Sequence, residues 1–131
     1  MKMNGYEVQG TLGTLRALTG KKLPIKLSFA IKCNIDELAK WSQKLDEQRI
    51  ELCDRYAKKD EDGKPTIENG QYILDDAEGF QSEFAELMAE TIDIEVRTVS
   101  DTIMDTLDDP RYDALSVGEL AGIQFIFASE E

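Results

Sequence analysis

The chain has 131 residues and contains no histidine. Histidine is the commonest general base, a frequent zinc ligand and the usual partner of a nucleophilic serine or cysteine, so its absence removes those sites. Residues 10–13 also lack the spacing and the lysine of a phosphate-binding loop. Carboxylates could act in pairs, but they are so numerous that no pair stands out. We therefore predict a protein that is not an enzyme and that needs no cofactor.

Long apolar runs are missing as well. No stretch of the sequence approaches the roughly 18 apolar residues that cross a bilayer. The first residues lack the apolar segment of a signal peptide. We therefore expect a cytoplasmic protein without membrane contact.

Cysteine is scarce, with only Cys33 and Cys53. If both lie on one helix, a rise of about 1.5 Å per residue holds them about 30 Å apart. A disulfide requires Cα atoms within about 7 Å, so buried free thiols are expected.

Acidic residues are abundant and unevenly distributed. The formal net charge is −12, from 15 basic and 27 acidic side chains. Residues 1–74 are nearly balanced, whereas residues 75–131 carry sixteen acidic and only two basic side chains. Direct binding to nucleic acid is not expected of this second half, because it requires Lys and Arg to neutralise phosphates. An acidic surface is instead steered towards a basic partner.

Apolar residues at steps of 3, 4 or 7 predict one long helix over about residues 24–58. Pro24 suits its first turn. Asn34 followed by Glu37 resembles a capping box, so a kink or a restart at 33–34 remains open. A helix of about 35 residues is about 50 Å long. It therefore either protrudes or is backed by a partner helix or another subunit.

The other predicted elements are shorter. Leucines at three-residue spacing indicate a helix over 11–19, with Gly20 as its C-terminal cap. The pair Asn69-Gly70 predicts a β-hairpin over 66–73. A helix capped by Asp75 or Asp76 is expected over 77–91.

After that helix, apolar and polar residues alternate over 92–99, which predicts a half-buried strand. A short helix is expected over 101–107. Ser116 and Glu119 form a capping box that opens the apolar segment 120–127, which could be a helix or a strand.

These elements predict a mainly α (α+β) fold in a single domain over residues 1–131. The long helix should pair antiparallel with helix 77–91, with Phe84 and Leu87 near Leu45 and Leu52. Three parts follow in order: a helical arm over 11–58, a charged loop and hairpin over 59–75, and an acidic helix–strand–helix portion over 76–131.

Two groups of residues are candidates for partner binding. The first is an acidic face that could mimic nucleic-acid phosphates, formed by Glu83, Glu86, Glu90, Asp101, Asp105, Asp108 and Asp109. A solvated surface is the alternative interpretation. The second group is apolar: Trp41 and Phe125 are either core residues or interface anchors. No metal site is predicted, because the acidic loop 58–64 does not place carboxylates at the ends of a calcium-binding loop.

Four features of the sequence carry a family resemblance: segments 22–27 and 52–64, the spacing of Phe80, Phe84 and Leu87, and the strand 92–96. In these features the chain resembles an uncharacterised family of small accessory proteins from phages and prophages of Gram-positive bacteria. The resemblance covers about residues 11–127 and brings no catalytic residues to carry over. It implies a phage accessory protein that acts in the host cell, where small acidic phage proteins often inhibit defence systems.

The leading hypothesis from the sequence is a non-enzymatic inhibitor that binds a host defence protein, such as a nuclease effector, by occupying a basic surface. The alternative is a structural or assembly protein that self-associates through the long helix as a homo-oligomer.

Overall fold

A computed structural model describes residues 1–129, and the fold is mainly α with a small β component, as predicted. The α-helices are α1 (Gly5–Arg16), α2 (Ile25–Tyr56), α3 (Ala77–Ala89) and α4 (Val117–Ile123), and 3₁₀ helices span Asp101–Thr106 and Gln124–Ile126. The strands are β1 (Lys2–Met3), β2 (Ile67–Glu68), β3 (Gln71–Tyr72), β4 (Ile92–Asp93), β5 (Val99–Ser100) and β6 (Phe127–Ala128). They pair two by two: β1 with β4, β2 with β3, and β5 with β6.

Helix α1 begins earlier than the sequence analysis predicted. The Asn4 side chain accepts a hydrogen bond from the Glu7 amide, and the Glu7 carboxylate accepts one from the Asn4 amide, which is a full capping box. Val8 is buried one turn later and extends the apolar stripe towards this cap. The predicted range 11–19 is therefore wrong at both ends. Gly20 is not the cap, because it lies beyond the helix and does not have a positive φ.

Helix α2 is continuous from Ile25 to Tyr56, which confirms one long helix and contradicts a kink at 33–34. Asn34 lies in mid-helix, where its side chain is 2% exposed and hydrogen-bonds the backbone of Arg97 instead of its own helix. Both thiols are free. Cys53 is buried as expected, whereas Cys33 is only half-buried.

Helix α3 runs antiparallel to α2. Near its start, the ring centroids of Tyr56 and Phe80 lie 6.3 Å apart. Near its end, Leu87 lies against the same groove as Leu45, which is about three turns before Tyr56 on α2 at 3.6 residues per turn. The Asp76 side chain caps α3 by accepting a hydrogen bond from Gly79, so the predicted helix is confirmed with its end two residues earlier.

The hairpin at Asn69-Gly70 is confirmed. Asn69 has φ 52° and Gly70 has φ 77°, so both central residues adopt the left-handed conformation that a two-residue type I′ turn requires. In the preceding loop, Asp60 Oδ1 accepts hydrogen bonds from the amides of Asp62 and Lys64, which uses this carboxylate to fold the loop.

The predicted strand over 92–99 is not one strand. Its ends are β4, which pairs antiparallel with β1, and β5, which pairs in parallel with β6. Between them, residues 94–97 keep the alternating burial, but the backbone of Glu95 and of Arg97 bonds to side chains of α2. Glu37 accepts a hydrogen bond from the Glu95 amide at 3.0 Å, and Asn34 bonds both the N–H (2.7 Å) and the C=O (3.0 Å) of Arg97. The prediction failed because alternation reports burial of one face and not the partner of the backbone.

The C-terminal segment contains both structures that periodicity left open. The capping box at Ser116 and Glu119 is confirmed at the start of α4. The helix ends at Ile123, and the segment continues through a 3₁₀ turn into β6. Residues of α1, α2, α3 and α4 share one apolar core, whose fully buried members are Val8, Leu15, Leu27, Leu38, Met88, Ile123 and Ile126.

Candidate functional site

A groove of about 430 Å³ lies between the middle of α2 and the C-terminal end of α3. We call it the Trp41 groove. Trp41 and Leu45 are four residues apart and face it together from one side of α2. The opposite wall and the rim come from Leu87, Glu90, Thr91, Ile92 and Asp93, and Lys44 and Gln48 complete the lining.

Trp41 is a core residue that also reaches the surface. It is half-buried and packs against the core, yet it also forms a wall of the groove. Its indole N–H donates a hydrogen bond to Glu37 at 3.3 Å. The ammonium groups of Lys44 and Lys40 lie 4.4 Å and 5.5 Å from the ring centroid. The ring therefore already accepts cations through its π face.

Glu37, one turn before Trp41 on α2, holds the indole ring and Lys40 in this arrangement. Its side chain is 13% exposed, forms an ion pair with Lys40 at 2.7 Å and accepts hydrogen bonds from the Trp41 indole and the Glu95 amide. Burial raises the pKa of Glu37, but the hydrogen bonds from Lys40, Glu95 and Trp41 outweigh it and lower the pKa below its ordinary value. Glu37 is thus ionised at neutral pH and holds the indole edge in place.

The carboxylates of α3 divide into paired and unpaired groups. Glu83 is half-buried and forms an ion pair with Arg55 at 3.0 Å. Glu86 and Glu90 are exposed, lie one turn apart, and form no ion pair within residues 1–129. Glu90 stands on the rim of the Trp41 groove. The structure therefore brings Glu90 and Trp41 to one groove, and Glu86 lies one turn before Glu90 on α3.

The remaining acidic candidates lie elsewhere. The 3₁₀ helix that carries Asp101 and Asp105 flanks the first turn of α2, where Ile25 and Thr102 line a common groove. Ile25 and Trp41 are separated by about 24 Å along the helix, at 1.5 Å per residue. The acidic residues that the sequence groups into one face therefore form two separate surfaces.

In this second acidic surface, Asp101, Asp105 and Asp108 are exposed. Asp109 differs from them because Arg111 holds its carboxylate through two hydrogen bonds, at 3.0 Å and 3.1 Å. The Arg111 guanidinium lowers the pKa of Asp109. This aspartate is therefore already paired within the chain.

Phe125 is the second candidate anchor. It lies in the 3₁₀ turn Gln124–Ile126, is half-buried, and packs against the core. It is not among the residues that line the Trp41 groove. The structure thus places Phe125 with the core and outside the Trp41 groove.

The sequence analysis missed two residues of the groove, Ile92 and Asp93. They reach it because β4 pairs with β1 at the N-terminus, where the Lys2 ammonium forms an ion pair with Asp93 at 3.1 Å. No local pattern signals this pairing, since β1 is only two residues long.

The groove presents one apolar wall, an acidic rim and a cation-accepting ring, which are features of a binding surface. Within the described residues 1–129, no three His, Cys, Asp or Glu side chains cluster in a way that could hold a metal ion. Over the same range, no helix has both the length and the apolar character needed to cross a bilayer.

Comparison of the chain with protein-family models, with curated proteins and with solved structures finds no match in any of the three. Its function is therefore argued from the surface described above.

Proposed function

We propose that this chain is a non-enzymatic, phage-type inhibitor that binds a basic surface of a host defence protein. The observation that carries the proposal is the Trp41 groove, where an apolar side chain lies beside the exposed carboxylate of Glu90, with exposed Glu86 one turn earlier on α3.

The charge of the second half of the chain favours a partner with a basic surface. The second half of the chain carries sixteen acidic and two basic side chains. A field of one sign raises the rate of encounter with an oppositely charged surface. A helix also presents Glu86 and Glu90 at a fixed spacing, so binding does not require ordering a flexible tail.

The Trp41 ring supplies the apolar part of the contact. Tryptophan residues are enriched among interface hot spots because they bury a large area with few rotatable bonds. Lys44 lies over the ring in the free protein, and an Arg or Lys of the partner could replace it at the same π face. The rim carboxylate of Glu90 would then pair with that cation.

A nuclease effector fits this chemistry. Its nucleic-acid groove must present Lys and Arg to neutralise phosphates. A protein that sets carboxylates against those cations blocks the groove without binding nucleic acid itself. No membrane contact and no cofactor enter this function.

The test compares two double substitutions with the same change in charge. Glu86→Lys/Glu90→Lys reverses Glu90 on the rim of the Trp41 groove and Glu86 one turn before it, and Glu47→Lys/Glu51→Lys reverses two exposed positions at the same spacing on α2. A partner is first captured from bacterial host lysate with the wild-type chain and then purified for titration. We expect the α3 variant to bind it at least about 100-fold more weakly and the α2 variant to stay within about threefold.

Trp41→Ala tests the apolar part of the contact separately from the carboxylates. We expect it to weaken binding by about tenfold or more, with little change in salt dependence. Circular dichroism melts should show that every variant remains folded. If Glu86→Lys/Glu90→Lys binds the captured partner like the wild type, the proposal is wrong.

The second candidate function is a self-associating structural or assembly protein. Exposed Ile25 and Phe29, at the start of α2, favour it over a strictly monomeric chain.

A further inference from the structure

The first two turns of α2 expose a surface that is apolar and basic. Ile25 is 80% exposed and Phe29 is 53% exposed, and their spacing of four residues places them on one face. The Arg97 guanidinium lies 5.4 Å from the Phe29 ring centroid, and Lys26 is exposed beside Ile25. We call these four residues the basic patch.

A groove of about 400 Å³ adjoins the basic patch. It runs from Ile25 and Lys26 to Ile103 and Tyr112, with the Arg111 side chain at its edge. The patch therefore combines exposed apolar side chains with two cations at the side of a groove, in a protein whose net charge is −12.

A second exposed apolar surface lies on the other side of the 3₁₀ helix Asp101–Thr106. Val117 is 86% exposed and Met104 is 44% exposed, and both line a groove of about 480 Å³ together with Asp101. Asp105, also exposed, lies one residue beyond Met104. We call these four residues the acidic patch.

The two patches are complementary in charge and share an apolar character. An apolar residue exposed alone needs no explanation, but apolar side chains that cluster in grooves mark interaction sites. Contact of the basic patch with a copy of itself would oppose Lys26 and Arg97 to like charges. Contact with the acidic patch would oppose them to Asp101 and Asp105.

We propose that the basic patch of one chain docks on the acidic patch of a second copy of the same chain. The interface joins two different surfaces. If both contacts form at once about a two-fold axis, the assembly closes as a dimer, and otherwise each copy can bind a further copy. This inference goes beyond the proposed inhibitor function and uses none of the residues of the Trp41 groove.

Charge reversal tests the pairing directly. Lys26→Glu/Arg97→Glu makes the basic patch acidic, and Asp101→Lys/Asp105→Lys makes the acidic patch basic. By sedimentation velocity up to about 200 µM, we expect the wild type to associate and each double variant to associate at least about tenfold more weakly. The chain that carries all four substitutions should regain association within about threefold of the wild type, because both signs are exchanged.

An equimolar mixture of the two double variants should also associate, since each supplies one intact patch. Val117→Ser is a milder variant at an exposed site, and it should weaken association without affecting the fold.

A wild-type chain that remains monomeric at about 200 µM overturns the proposal. So does association that survives either double reversal, or that the four-substitution chain fails to regain while its melting curve shows a folded protein. Binding of another macromolecule to the basic patch in place of a second copy would likewise count against it.

Discussion

Replacement of Asn34 tests what holds the segment 94–98 against α2. Its side chain is 2% exposed and makes two hydrogen bonds with the backbone of Arg97, at 2.7 Å and 3.0 Å. Each such bond contributes about 1 kcal/mol, and partners left unsatisfied add to the loss. We therefore expect Asn34→Ala to lower the free energy of unfolding by about 2–3 kcal/mol.

Asn34→Ser separates this role from that of a helix cap. Serine caps helices as well as asparagine does, so a capping role would make the substitution nearly neutral. The serine side chain is too short to bridge both polar groups of Arg97, so the structure predicts a loss close to that of alanine. Asn34→Ser and Asn34→Ala should therefore differ by less than about 1 kcal/mol.

The assay is urea unfolding followed by far-ultraviolet circular dichroism, with Lys32→Ala as the control. Lys32 is exposed two residues earlier and forms only a surface ion pair with Asp36, so its replacement should leave the unfolding midpoint nearly unchanged. Hydrogen exchange at the Arg97 amide should accelerate in both Asn34 variants. If Asn34→Ser is as stable as the wild type, the bridge to Arg97 does not hold the segment.

Three further predictions concern single sites. The folded protein lowers the pKa of Glu37 from 4.5, so the stabilisation by this carboxylate is present above pH 4.5 and is lost as the pH falls through the folded pKa. In urea unfolding, the wild type should therefore lose stability more steeply below pH 4.5 than Glu37→Gln does. Equal slopes would contradict this. Gly5→Ala should destabilise the protein by about 1–3 kcal/mol, because a Cβ would lie 2.8 Å from Met88 Sδ. Gly10 lies in open space on the same helix, so Gly10→Ala should stabilise the protein by about 0.5–1 kcal/mol. Thermal melts that rank the two variants the other way would refute the packing of Gly5 on Met88. Gly70→Ala, at φ 77°, should destabilise the protein by about 1 kcal/mol, and an unchanged melting temperature would contradict the turn geometry.

The pattern of Asn followed three residues later by Glu occurs twice with different outcomes. Asn4 and Glu7 cap α1, and this capping box is the signal that would have placed the helix start correctly. Asn34 and Glu37 have the same spacing but lie inside α2, where their oxygens accept hydrogen bonds from Arg97 and Glu95. Both pairs satisfy backbone N–H groups. The local sequence cannot say whether those groups belong to the same helix or to a distant segment.

The sequence predicted correctly those elements that are determined by neighbouring residues. The long apolar stripe of α2, the Asn69-Gly70 turn and the Ser116 capping box each depend on residues within a few positions. It failed for the strand 92–99, whose backbone partners lie in three distant segments, β1, α2 and β6. Trp41 and Glu90 were both candidates, but only the antiparallel packing of α3 on α2 places them at one groove.

The path of segment 94–98 also explains why one acidic stretch of sequence forms two surfaces. Its hydrogen bonds run from Glu37 back to Asn34, so the chain travels from the Trp41 groove towards the start of α2. Glu90, before the segment, therefore lies at the Trp41 groove, whereas the 3₁₀ helix that carries Asp101 and Asp105, after the segment, flanks Ile25. The separation of about 24 Å along α2 exceeds the screening length of about 10 Å at 0.1 M salt. The two acidic surfaces should thus act independently, so a partner bound at the Trp41 groove leaves the acidic patch available to a second copy of the chain.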